Sequence, residues 1–264
     1  MAQSSGESVA TEDHGAVAVM RFKPRDDGTI SNKGADLLLR ELDRLLADAG
    51  TRALVLTGAE PALFIRHANL GQIGRAGDAL RAGLATEQDF LDTPFQSLCR
   101  LLDRAEKPVI AAINGDCMGG GLEIALACTA RIAAPSIHAI GLPEIRLAIP
   151  PGSGGPQRLA RLIGLHRARL FVLKGTVVSS EDALAMGIVD ELNDDPVAAA
   201  VELAGRFARR SPDAVAAIMR QMAPDDEAAL KDNARAFAET LRSEDAAQML
   251  EELLHSPRPI ETLD

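Results

Sequence analysis

The sequence predicts an α/β fold with a buried parallel sheet, followed by an all-helical C-terminal region. Three observations predict it. Short apolar runs, Ala53–Thr57 and Val109–Ile113, have the length and composition of strands buried on both faces. Amphipathic segments of helical period lie between such runs. From about Asp195 onward only helical periodicity remains.

Taken in order, Ala16–Phe22 reads as a strand. Ser31 can cap the helix that follows, in which Leu38, Leu42, Leu45, Leu46 and Ala49 share one face and Gly50 is a plausible stop. Ala53–Thr57 is the second strand. Residues 58–88 have weak periodicity and several glycines, and read as loop with one short helix. Thr93-Pro94 opens a helix carrying Phe95, Leu98, Leu101 and Leu102. Val109–Ile113 is the third strand, ending in Asn114-Gly115. Beyond Asp195, apolar positions at Val201, Leu203 and Phe207, then Val215, Ile218 and Met222, then Leu230, Phe237 and Leu241, and finally Met249, Leu250 and Leu253 mark successive helices. With no strands among them, they read as a separate layer and an oligomer surface.

Composition narrows the function. The chain has 264 residues and 47% hydrophobic residues, so a core can form without disulfides. A net charge of -10 and the absence of Trp and Tyr argue against nucleic-acid binding. Cys99, Cys117 and Cys128 are an odd count without CxxC spacing. They read as buried apolar residues in a reducing cytosol, with neither a disulfide framework nor a metal site. The opening MAQSSGESVATEDHG is polar, unlike a signal or transit peptide, and residues 1–13 read as a flexible tail. No apolar run reaches membrane-spanning length. The expectation is a cytoplasmic protein.

The chemistry lies between Lys107 and Leu159. Gly119, Gly120 and Gly121 precede an apolar helix. Their N–H groups and the helix N-terminus can bind an anion or oxyanion, or the glycines can serve close helix–strand packing. Glu123, in the first turn, and Glu144, in GLPEIRLAIPP, both lie among apolar residues. Two carboxylates so placed can hold different protonation states, as moving one proton in and one out requires. Gly152, Gly154 and Gly155 form another close-approach loop before a helix near Pro156.

KPVIAAING, GGGLE, LPEI and PPGSGGPQRL, in this order and spacing, resemble the signature of the enoyl-CoA hydratase/isomerase (crotonase) superfamily. SSEDALAMGIVDEL downstream fits as well, and the similarity runs from about residue 14 to 245. The resemblance implies a spiral of repeated ββα units over residues 14–194, with a helical oligomerisation region at 195–264 that builds a homotrimer or a hexamer. It implies an oxyanion hole from the N–H groups of Ala68 and Gly120, around a coenzyme A thioester substrate, with no cofactor. Glu123 and Glu144 would hold the water of an enoyl-CoA hydratase. Lys23, Arg25 and Arg66 are the candidate cations for the coenzyme A phosphates. His67, Leu70, Gly119 and Gly152 are the further substrate contacts. The sequence departs from the family where a small residue, Gly and Asp are usual around the first donor: Arg66, His67 and Asn69 stand there. Asp116 is another polar residue near the expected site. Isomerisation or hydrolysis on the same scaffold, or non-catalytic coenzyme A binding, are the competing readings.

Overall fold

The computed structural model describes residues 6–225, 227–255 and 258–263. β1 (Ser8–His14) and β2 (Val17–Lys23) form an antiparallel hairpin across Gly15. α1 (Asn32–Ala47) leads to β3 (Ala53–Gly58) and β4 (Ala62–Ile65), then α2 (Leu70–Arg81), the short α3 (Gln88–Leu91) and α4 (Pro94–Asp103). β5 (Val109–Ile113), β6 (Gly115–Met118) and α5 (Gly120–Ala127) follow, then β7 (Ala130–Ala133), β8 (Ile140–Gly141) and a 3-10 turn, Glu144–Leu147. α6 (Gly155–Ile163), α7 (Leu165–Leu173), β9 (Val177–Val178), α8 (Ser180–Met186) and β10 (Glu191–Leu192) complete the core. α9 (Pro196–Ala208), α10 (Pro212–Met222), α11 (Glu227–Leu241), α12 (Glu244–His255) and a 3-10 turn, Ile260–Thr262, end the chain.

Strands divide alternately between two sheets. One has the order β1-β2-β3-β5-β7-β10, the other β4-β6-β8-β9. Thus β3/β4, β5/β6 and β7/β8 each place one strand in each sheet before the chain turns into a helix, which is a ββα spiral. From β2 to β10 the larger sheet is parallel.

Side-chain alternation along β3 explains why the sheet needs two covers. Leu54 and Leu56 enter one core with Leu38 of α1, while Ala53 and Val55 enter another with Ala200 and Ala204 of α9. Truncating a fully buried leucine here, such as Leu54→Ala, would cost about 2–5 kcal/mol. The C-terminal segment is therefore not a layer apart: α9 covers this chain's own sheet. α11 and α12 build a third core with Leu80 of α2 and with Leu147 and Ile149.

Two further expectations are corrected. Residues 8–13 of the supposed tail are strand β1, and Glu7 is buried. Its Oε1 accepts from the Ser31 N–H at 2.7 Å and its Oε2 from the Ser31 hydroxyl at 2.5 Å, while Ser31 Oγ accepts from Gly34 N. The start of α1 is thus tied to the chain's beginning. The 58–88 stretch contains β4 and a twelve-residue α2. The glycines that suggest a loop are contact points: a Cβ on Gly77 would lie 3.1 Å from the Leu241 carbonyl oxygen, and one on Gly74 3.6 Å from Leu254. Among the described residues no helix is long and apolar enough to cross a membrane. All three cysteines are free and buried, and burial pushes the Cys128 thiol up to about 12.

Candidate active site

The glycine triple sets the geometry. Gly119 has φ +49°, which disfavours any side chain, and a Cβ there would meet Glu144 Oε1 at 3.0 Å. A Cβ on Gly121 would lie 2.0 Å from the Ile65 carbonyl oxygen, so α5 and β4 meet backbone to backbone. This contact brings the segment after β4 against the start of α5, and a Cβ on Gly120 would be 3.4 Å from that of Ala68.

Both of these residues present a bare N–H. Gly120 opens α5, where the first donors have no intrahelical acceptor. Ala68 sits in a bridge with Ile30: the Ile30 N–H donates to His67 O, and the Asn69 N–H to Ile30 O. That pairing uses the groups on either side of Ala68 and leaves its own N–H out. Among the described residues neither N–H has an acceptor.

The two glutamates differ in their surroundings. Glu123 is 3% exposed, and its Oε1 accepts from the N–H groups of Ser153 at 2.7 Å and Gly155 at 2.8 Å. Burial raises its pKa, while these donors and Arg158 oppose the rise. Glu144 follows Pro143 in a 3-10 turn closed by Ala148 at φ 57°. Its Oε2 is buried and has no hydrogen-bond partner among the described residues. Burial, and then the charge of Glu123, push its carboxyl well above the usual range. The two backbone donors favour the charged form at Glu123 and Glu144 has no such donors, so a single negative charge on the pair is better held by Glu123.

Both carboxyl groups line one cavity of about 150 Å³, together with Ala68, Gly120, His67, Leu70, Gly119 and Gly152. Much of the remaining wall is apolar, including Ile73, Phe90, Leu147, Ile149 and Phe237. His67 Nδ1 lies 2.8 Å from the Ala68 carbonyl oxygen; since that oxygen only accepts, the proton is on Nδ1. Burial lowers the pKa of the imidazole, with Arg66 adding to the effect, so it is neutral.

The expected cations are not in this wall. Lys23 Nζ is 3.7 Å from Glu60, and Arg25 Nε is 3.7 Å from Asp27. Arg66 is 3.2 Å from Asp116, which accounts for both of those residues. Arg25 and Arg66 both border Gly28, in the loop that leads to the cavity residue Ile30. Sequence reasoning missed Ser153 as a donor to Glu123. It also missed the C-terminal contribution: Ala234, Phe237 and Ile260 wall the cavity, and Asn233 holds the 151–155 loop.

The family model for enoyl-CoA hydratase/isomerase matches residues 12–255. The short-chain-enoyl-CoA hydratase of Clostridium acetobutylicum is 32% identical over 250 residues, spanning 90% of this chain and 91% of the relative. Among solved structures, carnitinyl-CoA hydratase from Mycobacterium avium is 28% identical, with a TM-score of 0.79 over 96% of this chain and 97% of that one. Human mitochondrial delta3-delta2-enoyl-CoA isomerase, with a TM-score of 0.81 over 94% and 96%, is 23% identical and shares the fold.

Proposed function

Because the chain belongs to the enoyl-CoA hydratase/isomerase family, we propose that it is a hydratase adding water reversibly to a short or medium trans-2-enoyl-CoA. The observation that carries this reading is the unequal pair of carboxylates in one cavity. Glu123 is satisfied by two backbone donors, while Glu144 has a buried oxygen without a partner among the described residues.

The thioester oxygen accepts from the N–H groups of Ala68 and Gly120. These stabilise the enolate formed as water attacks the β-carbon; losing one such donor typically costs about 2.7–4 kcal/mol. Glu123 takes the proton from water as its oxygen bonds to that carbon. Glu144 gives its proton to the α-carbon. The substrate gains the elements of one water, and the pair exchanges which member holds the proton. Isomerisation moves one proton along the chain and leaves one of the two carboxylates without a task. The reaction is redox-neutral, and the thioester with its two donors carries the electronic work, so no cofactor is called for. Lys23, Arg25 and Arg66 serve the coenzyme A phosphates from outside the acyl cavity. Exposed apolar residues on α7 (Leu165, Leu173) and α10 (Ile218, Met222) support assembly into a homotrimer or hexamer, which light scattering at micromolar concentration tests against a monomer mass.

The activity test follows the conjugated enoyl-thioester absorbance. It should fall with the parent protein, and Glu123→Gln and Glu144→Gln should each lose about 10²–10⁴-fold or more. Unchanged absorbance across chain lengths, with double-bond migration or thioester hydrolysis instead, would overturn the hydratase reading.

A further inference from the structure

We propose that Arg158 is a positioning residue: aimed by Asp103, it sets a positive charge against the loop whose N–H groups bind Glu123 and fixes that loop. Arg158, on α6, is 2% exposed, although it carries a full charge. Its Nε and Nη2 donate to the two oxygens of Asp103 on α4, at 3.0 and 2.6 Å. The third link goes elsewhere, from Nη1 to the carbonyl of Ser153.

Ser153 is thereby held at both ends, since its N–H donates to Glu123 Oε1. The peptide between Ser153 and Gly154 is gripped on both sides. Arg158 takes its oxygen, and the Gly154 N–H donates to Asn233 Oδ1 at 2.8 Å. That peptide lies between the two donors of Glu123, Ser153 N and Gly155 N. Fixing it fixes the angle at which both reach one oxygen.

Charge acts along the same line. The ionisable groups facing Glu123 are Glu144 from the 3-10 turn, Arg158 from α6 and Cys99 from α4, with Asp103 behind Arg158. Glu144 and Cys99 hold their protons, so Arg158 is the one opposite charge acting on Glu123 among the described residues. A buried ion pair adds little net stability compared with apolar residues of the same shape. The bidentate pair gains its value from the third link and from the carboxylate beyond it. The inference rests on the reading in which Glu123 must be ionised to accept the water proton.

The test uses the full chain and four variants: Arg158→Met, Arg158→Lys, Asp103→Asn and the apolar double variant Asp103→Leu/Arg158→Met, which leaves no unpaired buried charge if a single variant folds poorly. The Glu123 carboxyl is titrated by NMR after labelling glutamate δ-carbons with ¹³C, its signal identified by loss in Glu123→Gln. The acid limb of kcat/KM for enoyl-CoA hydration is measured in parallel. Arg158→Met and the double variant should move the Glu123 titration up by about one pH unit, a tenfold drop in ionised fraction. Arg158→Lys should move it less, and Asp103→Asn, which unmasks the cation, should move it down. A structural role alone would not give opposite signs. An unmoved titration in Arg158→Met and the double variant, or shifts of the same sign in Arg158→Met and Asp103→Asn, would overturn the proposal. A moved titration with an unmoved rate limb would keep the Arg158 assignment and remove Glu123 as the base.

Discussion

The Gly154 N–H donates to Asn233 Oδ1 across 2.8 Å, and Asn233 Nδ2 returns a hydrogen bond to the Pro151 carbonyl at 2.8 Å. A helix near the chain's end thus fastens the loop that binds Glu123. Asn233→Ala would leave a buried N–H and a buried carbonyl unpaired, a loss of about 1–3 kcal/mol in stability. It should also lower kcat about tenfold, with KM less affected. Steady-state kinetics well below the melting temperature separate the two effects. A kcat equal to the parent's would mean that Arg158 alone suffices to hold the loop.

Glu144 predicts an inverse relation between activity and stability. Its folded carboxyl titrates above the unfolded one, so between those two values the native state holds a proton that the unfolded chain has released. Stability then falls as pH rises through that window and is fully present below it. Glutamine cannot ionise. Glu144→Gln should melt higher than the parent at neutral pH, with the gap closing as pH falls to about 4. Parallel melting profiles for the two proteins would show that the carboxyl is not perturbed.

His67 is expected to shape the loop without moving protons, because its Nδ1 proton is committed to the Ala68 carbonyl. His67→Gly should keep kcat within about tenfold, or ~1.4 kcal/mol of barrier, and act chiefly on KM. The pH–rate profile should carry no imidazole limb near pH ~6–7. A loss of about 10²–10⁴-fold, alongside a mild effect in either glutamate variant, would transfer the chemistry to the imidazole.

Ala148 closes the Glu144 turn in the left-handed region, at φ 57° and ψ 25°. An L-residue there costs about 1–2 kcal/mol, offset in part by the extra unfolded-state freedom of glycine, about 0.5–1 kcal/mol. Ala148→Gly should therefore raise stability by roughly 0.5–1 kcal/mol, read as an increase of about 1–4 °C in Tm.

Local chemistry was legible in the sequence where neighbours in the chain are also neighbours in the site. Gly119, Gly120 and Glu123 share one helix start, so their grouping needs no tertiary knowledge. Ala68 could be named only through family resemblance, since its approach to Gly120 depends on the contact between Gly121 and the Ile65 carbonyl. Phe237 reads as an apolar helix position but not as cavity wall, and Asn233 not as a loop anchor, because an amphipathic helix shows which face is apolar, not what it meets. The same ambiguity hides that α9 covers the sheet, with Ala200 and Ala204 packed beneath β3 and β5. β8 has only two residues, too few for alternation to register, and glycines disguised α2 as loop.

The cavity wall runs from Ile30 to Ile260 along the chain. The pocket therefore closes only once the chain has been made through Ile260, roughly 10 to 50 s after Ile30 at about 5–20 residues per second. On the ribosome, the spiral can pack while its apolar recess stays open to solvent and to chaperones. The recess is closed off by the segment that carries Asn233, Phe237 and Ile260.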